Sequence, residues 1–272
     1  MEDDELIKKT MSLNQAPSIS VIICSRDPNE VMSVRRNLLG TAKWPKSLEI
    51  IIIDNREKNE GLCAVYNQGA AKAKGRILVF MHEDVWMLEK DWDIVLLKKF
   101  RELPEIQILG VAGSSLLADK PWPLWSVADI PYTFGKVVHL IEKNEEFFLA
   151  LYNDRDGDQE VVVLDGLWFA AKKTLFEKLA FDEKTFPAFH FYDIDICMQA
   201  LEFGKNYATT DIRVLHKSRG SFEGEWEKWS NVFVEKWKDK LPVKTLNEPP
   251  LSKELQKAGC LDLRGKVKEP RW

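Results

Sequence analysis

Positive charge is in short supply in this chain. Its 39 lysines and arginines are outnumbered by 43 acids, leaving a formal net charge of -4 and a sequence pI of 5.7. That excludes a general electrostatic footprint for nucleic acid, so any anion the protein binds must be gripped by a local site. Long apolar runs are missing too. None approaches the roughly 20 residues that cross a bilayer, and no transmembrane segment is expected. Met1 to Gln15 is charged and polar, which argues against a secretory signal. Cysteine is scarce: Cys24, Cys63, Cys197 and Cys260 are scattered without a CxxC pair. Neither a zinc site nor a disulfide framework is expected, and a reducing cytoplasm is the expected location. No glycine-rich turn follows the first strand-like run. Ser25-Arg26-Asp27-Pro28 stands where a dinucleotide-dependent oxidoreductase needs GxGxxG, which argues against that class. A calcium loop is also lacking around Asp156: Tyr152 replaces the acid needed before Asp154, and Val163 sits where the closing Glu belongs. A turn at Asp156-Gly157 is expected instead.

What is present is a hydrophobic fraction of 45% over 272 residues, enough for one large core or two small ones. The pattern is organised around Ile77 to Asp84, a run of strand formers that stops on a histidine and two carboxylates. Ligands of open α/β sheets bind at such carboxyl tips. Acids there can hold a divalent cation, and a cation can hold phosphates. Upstream, Ser18 to Cys24 reads as a buried strand. Asp27, Pro28 and Glu30 read as a capping box opening a helix with Val31, Val34, Leu38 and Leu39 inward. Leu48 to Asp54 is a second strand ending on an acid, and Gly61 to Lys74 a second helix. Three strands and two helices make a right-handed parallel βαβαβ unit whose tips converge on one crevice.

Further on, Trp92 to Leu103 carries a helical stripe and Ile106 to Gly113 reads as one strand. Leu116 to Glu160 is loosely patterned, with prolines and aromatics, and looks like an inserted lobe. Val161 to Ala171 reads as a strand interrupted at Asp165-Gly166, Asp193 to Phe203 as a helix, and Tyr207 to Leu215 as a strand ending at His216. Glu223 to Leu241 is amphipathic, with Trp226, Trp229, Phe233 and Trp237 about a turn apart, which predicts packing on the core. The tail beyond Pro242 is polar and expected to wrap the surface.

In their order, Cys24-Ser25-Arg26, Glu49 to Asn55, Gly61-Leu62, Asn67-Gln68-Gly69, Ala73-Lys74-Gly75 and the acidic tip resemble the nucleotide-binding half of family 2 glycosyltransferases. Gly166 to Ala170, Phe181-Asp182-Glu183, Tyr192 to Cys197 and His216 resemble the second half of that family. The His-x-Asp form of the tip is similar to a subgroup of streptomycin-biosynthesis-protein-like glycosyltransferases. The resemblance runs from Ser18 to Trp237. It implies an α/β, A-type fold with a mostly parallel central sheet flanked by helices and a smaller acceptor-side lobe. The expected organisation is an N-terminal extension (1–17), a transferase domain (18–241, divided into 18–115 and 116–241) and a tail (242–272).

The residues themselves suggest roles. Asp84 is a hard oxygen donor suited to Mg2+ or Mn2+, though it could instead cap the following loop. His82 stands where the family has the first acid of its Asp-x-Asp motif. Its imidazole suits Mn2+ better than Mg2+, or could hydrogen-bond a ribose or phosphate oxygen. His216 could complete the metal shell, or simply pack. Glu83 points to the opposite face if the alternation persists. Asp54 sits where the family's uracil- or ribose-contacting acid does, or else caps its loop. Arg26 could pair with phosphate or be an exposed loop residue. Ser25, Asn67 and Gly166 join the donor-binding set through the resemblance, although Tyr66 precedes Asn67 where the family often carries arginine. Asp193 is the candidate general base, its acidity reduced by aromatic neighbours; Asp195, two residues on, must diverge from it. Both acids could instead cap their helix. Lys217 or Arg219 could neutralise a departing diphosphate. Trp122, Trp125 and Trp168 could stack on a sugar, or belong to the core.

The resulting expectation is a metal-assisted, inverting glycosyltransferase that takes a nucleoside diphosphate sugar, UDP-type favoured, to the hydroxyl of a glycan or small molecule, as in polysaccharide biosynthesis. The alternative is a non-catalytic sugar-nucleotide or glycan-binding module on the same fold. The oligomeric state is left open.

Overall fold

Seven buried residues, Ile19–Ser25, form β1, and the β-branched run that predicts it leaves none of them at the surface. The structure, a computed structural model, describes residues 17–119, 132–141, 146–153, 155–217 and 225–245. The N-terminal extension up to residue 16, Trp122, Trp125, Arg219 and the tail after residue 245 lie outside the described residues. Helix α1 (Pro28–Thr41) leads to β2 (Leu48–Asp54), and α2 (Leu62–Lys72) leads to β3 (Ile77–His82). Both β2 and β3 pair with β1 in parallel, with Ser25 opposite Asp54 and Cys24 opposite His82. The expected βαβαβ unit is therefore present, with its tips in line. Helix α2 lies so close over β1 that a side chain at Gly69 would come within 2.2 Å of the Ile22 methyl.

The remaining strands of this sheet come from farther along the chain: β5 (Ile106–Gly110), β10 (Asp158–Val161), β12 (Trp168–Lys172) and β13 (Lys205–Thr209). The order is β10-β13-β5-β12-β3-β1-β2. Strand β12 runs antiparallel between β3 and β5, and β10 antiparallel beside β13. The other five strands share one direction, as expected. A second sheet is built from β4 (Val85–Met87), β6 (Ala112–Ser114), β8 (Thr133–Ile141), β9 (Glu146–Leu151), β11 (Val163–Leu164) and β14 (Val214–His216). Short strands β7 (Leu116–Leu117) and β15 (Val243–Lys244) pair with each other. Helices α3 (Trp92–Glu102), α4 (Tyr192–Ala200) and α5 (Trp226–Trp237) complete the α-helices among the described residues.

Three expectations need correction. The strand read over Ile106 to Gly113 is two strands, β5 and β6, because the chain leaves one sheet for the other at Val111. The run Tyr207 to Leu215 likewise splits into β13 and β14 in different sheets. Neither Val111, inside a largely apolar run, nor the polar Thr209–Arg213 stretch says in sequence which sheet the next strand joins. The capping box is half right. Asp27 accepts from the N–H groups of Asn29 and Glu30, but Glu30 turns away to accept from Trp86 Nε1 and Lys217 Nζ. The N–H of Asp27 is met by Glu83 instead, at 2.9 Å.

Helix α5 closes the fold on one side. Its buried Trp226 and Phe233 pack on Phe191, with ring centroids 5.4 and 5.5 Å away. Lys236 binds Asp182 at 2.8 Å and the buried Asp195 at 2.7 Å, and Trp237 Nε1 donates to Asp195 at 2.9 Å. Burial raises the pKa of Asp195, and the Lys236 ammonium opposes that shift.

Candidate active site

The tip of β3 turns through Glu83 and Asp84 into β4, and that turn carries the chain from the large sheet to the second one. Strand β14 pairs with β4, placing His216 opposite Val85, and Lys217 N donates to Asp84 O at 3.1 Å. Two remote segments are thereby zipped so that His82, Asp84 and His216 offer ligand atoms all within 4.8 Å of one another. His216 Nε2 lies 3.5 Å from Asp84 Oδ1, and the His82 and His216 rings are 5.5 Å apart. On the other side of His216, in register on β8, is His139, also with ring centroids 5.5 Å apart. Burial, followed by the neighbouring His216, lowers the pKa of His82. A neutral imidazole with an available lone pair is the form that ligates a cation. Two imidazoles, from the tips of β3 and β14, and one carboxylate, from the turn after β3, are a donor set that fits a divalent transition metal.

Glu83 faces away from this cluster, as strand alternation predicts, and it has a task of its own. Its carboxylate accepts from Ser25 Oγ at 2.9 Å, from Arg26 N at 3.0 Å and from Asp27 N at 2.9 Å. The β1 tip loop is thus fastened to the β3 turn. The Arg26 guanidinium sits 5.7 Å over the Phe189 ring. Asp54 is exposed on the next strand tip, about 10 Å from the β3 tip by two strand spacings. Arg56 grips it through Nε at 2.9 Å and Nη2 at 2.5 Å, and these bonds hold its carboxyl down at about 2.

The second half of the site hangs on the start of α4. Asp193, in the first turn, accepts from Gly166 N at 2.9 Å. Burial and then the neighbouring Asp165 carboxylate push Asp193 up to about 7. Asp165 itself is held by Leu167 N at 2.9 Å. Asp195 diverges, as expected, into the α5 contacts described above. One residue before Asp193, the buried Tyr192 hydroxyl lies 2.7 Å from His82 Nε2.

The structure therefore brings His82, Asp84 and His216 together directly, and connects Gly166 and Asp193 to them through Tyr192. Ser25 and Arg26 join through Glu83, and Asp54 flanks them. Asn67 does not join. Its side-chain amide donates to Phe181 O at 2.9 Å and accepts from Phe181 N at 3.0 Å, which clamps α2 to the Phe181–Glu183 turn. Trp168 is fully buried on β12 and belongs to the core rather than to a sugar-stacking face. Lys217 pairs with Glu30 at 2.7 Å beside Trp86 instead of standing free. Sequence reasoning gave Glu83 its direction but not its partners, and missed His139, Asp165 and Tyr192. The only signal for Glu83 and Tyr192 is adjacency to nominated residues, and His139 becomes visible only through the β8–β14 register.

Comparison with known proteins bears on this geometry. A family model described as "Glycosyltransferase like family" matches residues 20–237. A relative from Fuscovulum blasticum, described as "ATP synthase subunits region ORF 6", is 24% identical over 211 residues, 75% of this chain and 76% of its own length. Among solved structures, GalNAc-T7 with UDP, GalNAc and Mn2+ superposes with a TM-score of 0.54 at 13% identity, over 84% of this chain and 49% of that one. The chain thus spans about half the length of that transferase. The mannosyltransferase PcManGT from Pyrobaculum calidifontis, in complex with GDP-Man and Mn2+, gives 0.49 at 13% identity, over 75% of this chain and 59% of that one.

Proposed function

The chain belongs to the glycosyltransferase-like family and has the A-type transferase fold, and on that premise we propose that it moves a sugar from a nucleoside diphosphate sugar to an acceptor hydroxyl with inversion. The observation that carries this reading is the placement of Asp193, poised at about 7, one residue from the hydroxyl that touches His82 of the cation cluster. A general base works best when its pKa lies near the working pH. Asp193 is raised to about that value, Gly166 N–H orients its Oδ2, and the carboxylate would take the acceptor's proton as the oxygen attacks the anomeric carbon. His82, Asp84 and His216 would hold the cation, and two nitrogen donors favour Mn2+ over Mg2+. Bound there, the cation would supply positive charge to the diphosphate as it leaves. The Ser25–Asp27 loop and Asp54 flank the place of the nucleoside, with Glu83 setting the loop's shape.

In this reading residues 18–115 form the donor half and 116–241 the acceptor half of one domain. The His82-Glu83-Asp84 order supports the streptomycin-biosynthesis-like subgroup, and the scattered cysteines support a cytoplasmic location. Among the described residues, no helix is long and apolar enough to cross a membrane. The second reading, a binding module without chemistry, is favoured by Tyr66 in place of the family's arginine and by the engagement of Asn67 within the protein.

The test is a thermal-shift panel of UDP, GDP and other nucleoside diphosphates with and without Mn2+, starting with UDP and Mn2+, which the GalNAc-T7 structure contains. Stabilisation by one base, amplified by Mn2+, together with donor turnover that vanishes in Asp193→Asn while donor binding persists, is the expected result. Donor binding without turnover on any donor would favour the module; no stabilisation by any of these ligands would overturn the transferase and the sugar-nucleotide form of the module.

A further inference from the structure

The junction between the two halves of the site has a part that no role has yet been given. Helix α4 begins after Phe191, whose backbone is left-handed at φ 66°, a conformation that bulky residues rarely adopt. Contacts with Phe186, Trp226 and Phe233 keep that side chain buried in place. The turn sends Tyr192 inward, where its ring meets Tyr66 edge-on at 5.5 Å and its hydroxyl meets His82 Nε2. Room for the hydroxyl exists because residue 166 is glycine: a Cβ there would lie 2.0 Å from the Tyr192 oxygen and 3.0 Å from Asp193 Cβ.

We infer, on the reading of the site given above, that Tyr192 is a positioning residue: a divalent cation on His82 Nδ1 requires the ring proton on Nε2, and the Tyr192 oxygen, 2.7 Å away, is placed to accept it and so to hold the ring in that orientation. An imidazole held by a single contact can rotate or change tautomer. One pinned by a buried phenol presents one lone pair in one direction, the way outer partners of metal-bound histidines act. Because Tyr192 and Asp193 are consecutive, the same helix start that aims the base also aims the ligand. Gly166 serves both, by its N–H to Asp193 and by the space it leaves for Tyr192.

The test uses the full chain and Mn2+ alone, followed by electron paramagnetic resonance titration, with nitrogen-15 NMR of the histidines in cation-free protein. Tyr192→Phe keeps the ring and removes the oxygen. It is expected to weaken Mn2+ uptake about 10- to 100-fold, the range for losing such a partner. His82→Ala should weaken uptake as well, and adding Tyr192→Phe to it should cost nothing more. Gly166→Ala, which drives the hydroxyl off His82, should copy Tyr192→Phe. The spectrum of the unaltered protein should show His82 protonated at Nε2, a readout that needs no variant to fold. Wild-type uptake by Tyr192→Phe, full additivity with His82→Ala, or an Nδ1–H tautomer would overturn the inference while leaving the cation site standing. An unaltered protein that takes up no Mn2+ would overturn the cation site, and this inference with it.

Discussion

Asp193 binds its proton more tightly in the folded protein than its ordinary value of 3.8 allows, because burial and Asp165 disfavour the charge. Folding stability must therefore fall as pH rises from about 4 to about 7, the span over which the unfolded chain has lost this proton and the folded chain has not. Asp193→Asn removes the titration. Its melting midpoint should exceed that of the unaltered protein at pH 8 and match it near pH 4, while sugar transfer disappears at both. Turnover by the unaltered protein should rise through pH 7 as the base ionises, so a rate that falls over this range would contradict the assignment. At this scale the sequence is informative where a residue closes a strand. His82, Asp84 and His216 could be nominated because each stands at or just beyond a strand tip. Glu83 and Tyr192 could not, since their partners lie 56 to 58 and 110 residues away in sequence and nothing local encodes those meetings.

Helix α5 holds the start of α4 from outside, and Lys236 is the group through which charge enters that contact. It lies between Asp182 and the buried Asp195, whose carboxylate also takes Trp237 Nε1 and Gln199 Nε2. Removing one partner of a buried pair leaves an uncompensated charge, at a cost of about 3–5 kcal/mol. Lys236→Met should lose stability of that order in urea denaturation, and Asp195→Asn in the same chain should restore part of it. If Lys236→Met alone unfolds like the unaltered protein, the pair does not hold α5. Periodicity showed all five helices, although the boundaries of the last two were read too long. It also showed the first three strands. It could not show that β5 and β13 each hand over to a strand of another sheet, because neither Val111 nor Thr210–Arg213 carries a signal of which strand becomes the next neighbour.

For the molecule as a whole, family resemblance and alternation together led to an α/β sheet with most strands in one direction, and the structure has it. The strand order was beyond reach: which strand lies beside which depends on pairing between segments a hundred residues apart. The reversed strand β12 is the clearest case. It fills the gap between β3 and β5, so β3 has no neighbour on that side until Trp168–Lys172 is in place, and β5 gains both its neighbours from later segments. A chain that lacks β12 would present β3 with an unpaired apolar edge, the kind of edge that recruits other chains. Expressed alone, residues 18–115 should collect in the insoluble fraction, whereas a product running through residue 245 should remain in solution. If the two halves proposed above do carry donor and acceptor, neither sheet edge between them is complete until strands from both have met.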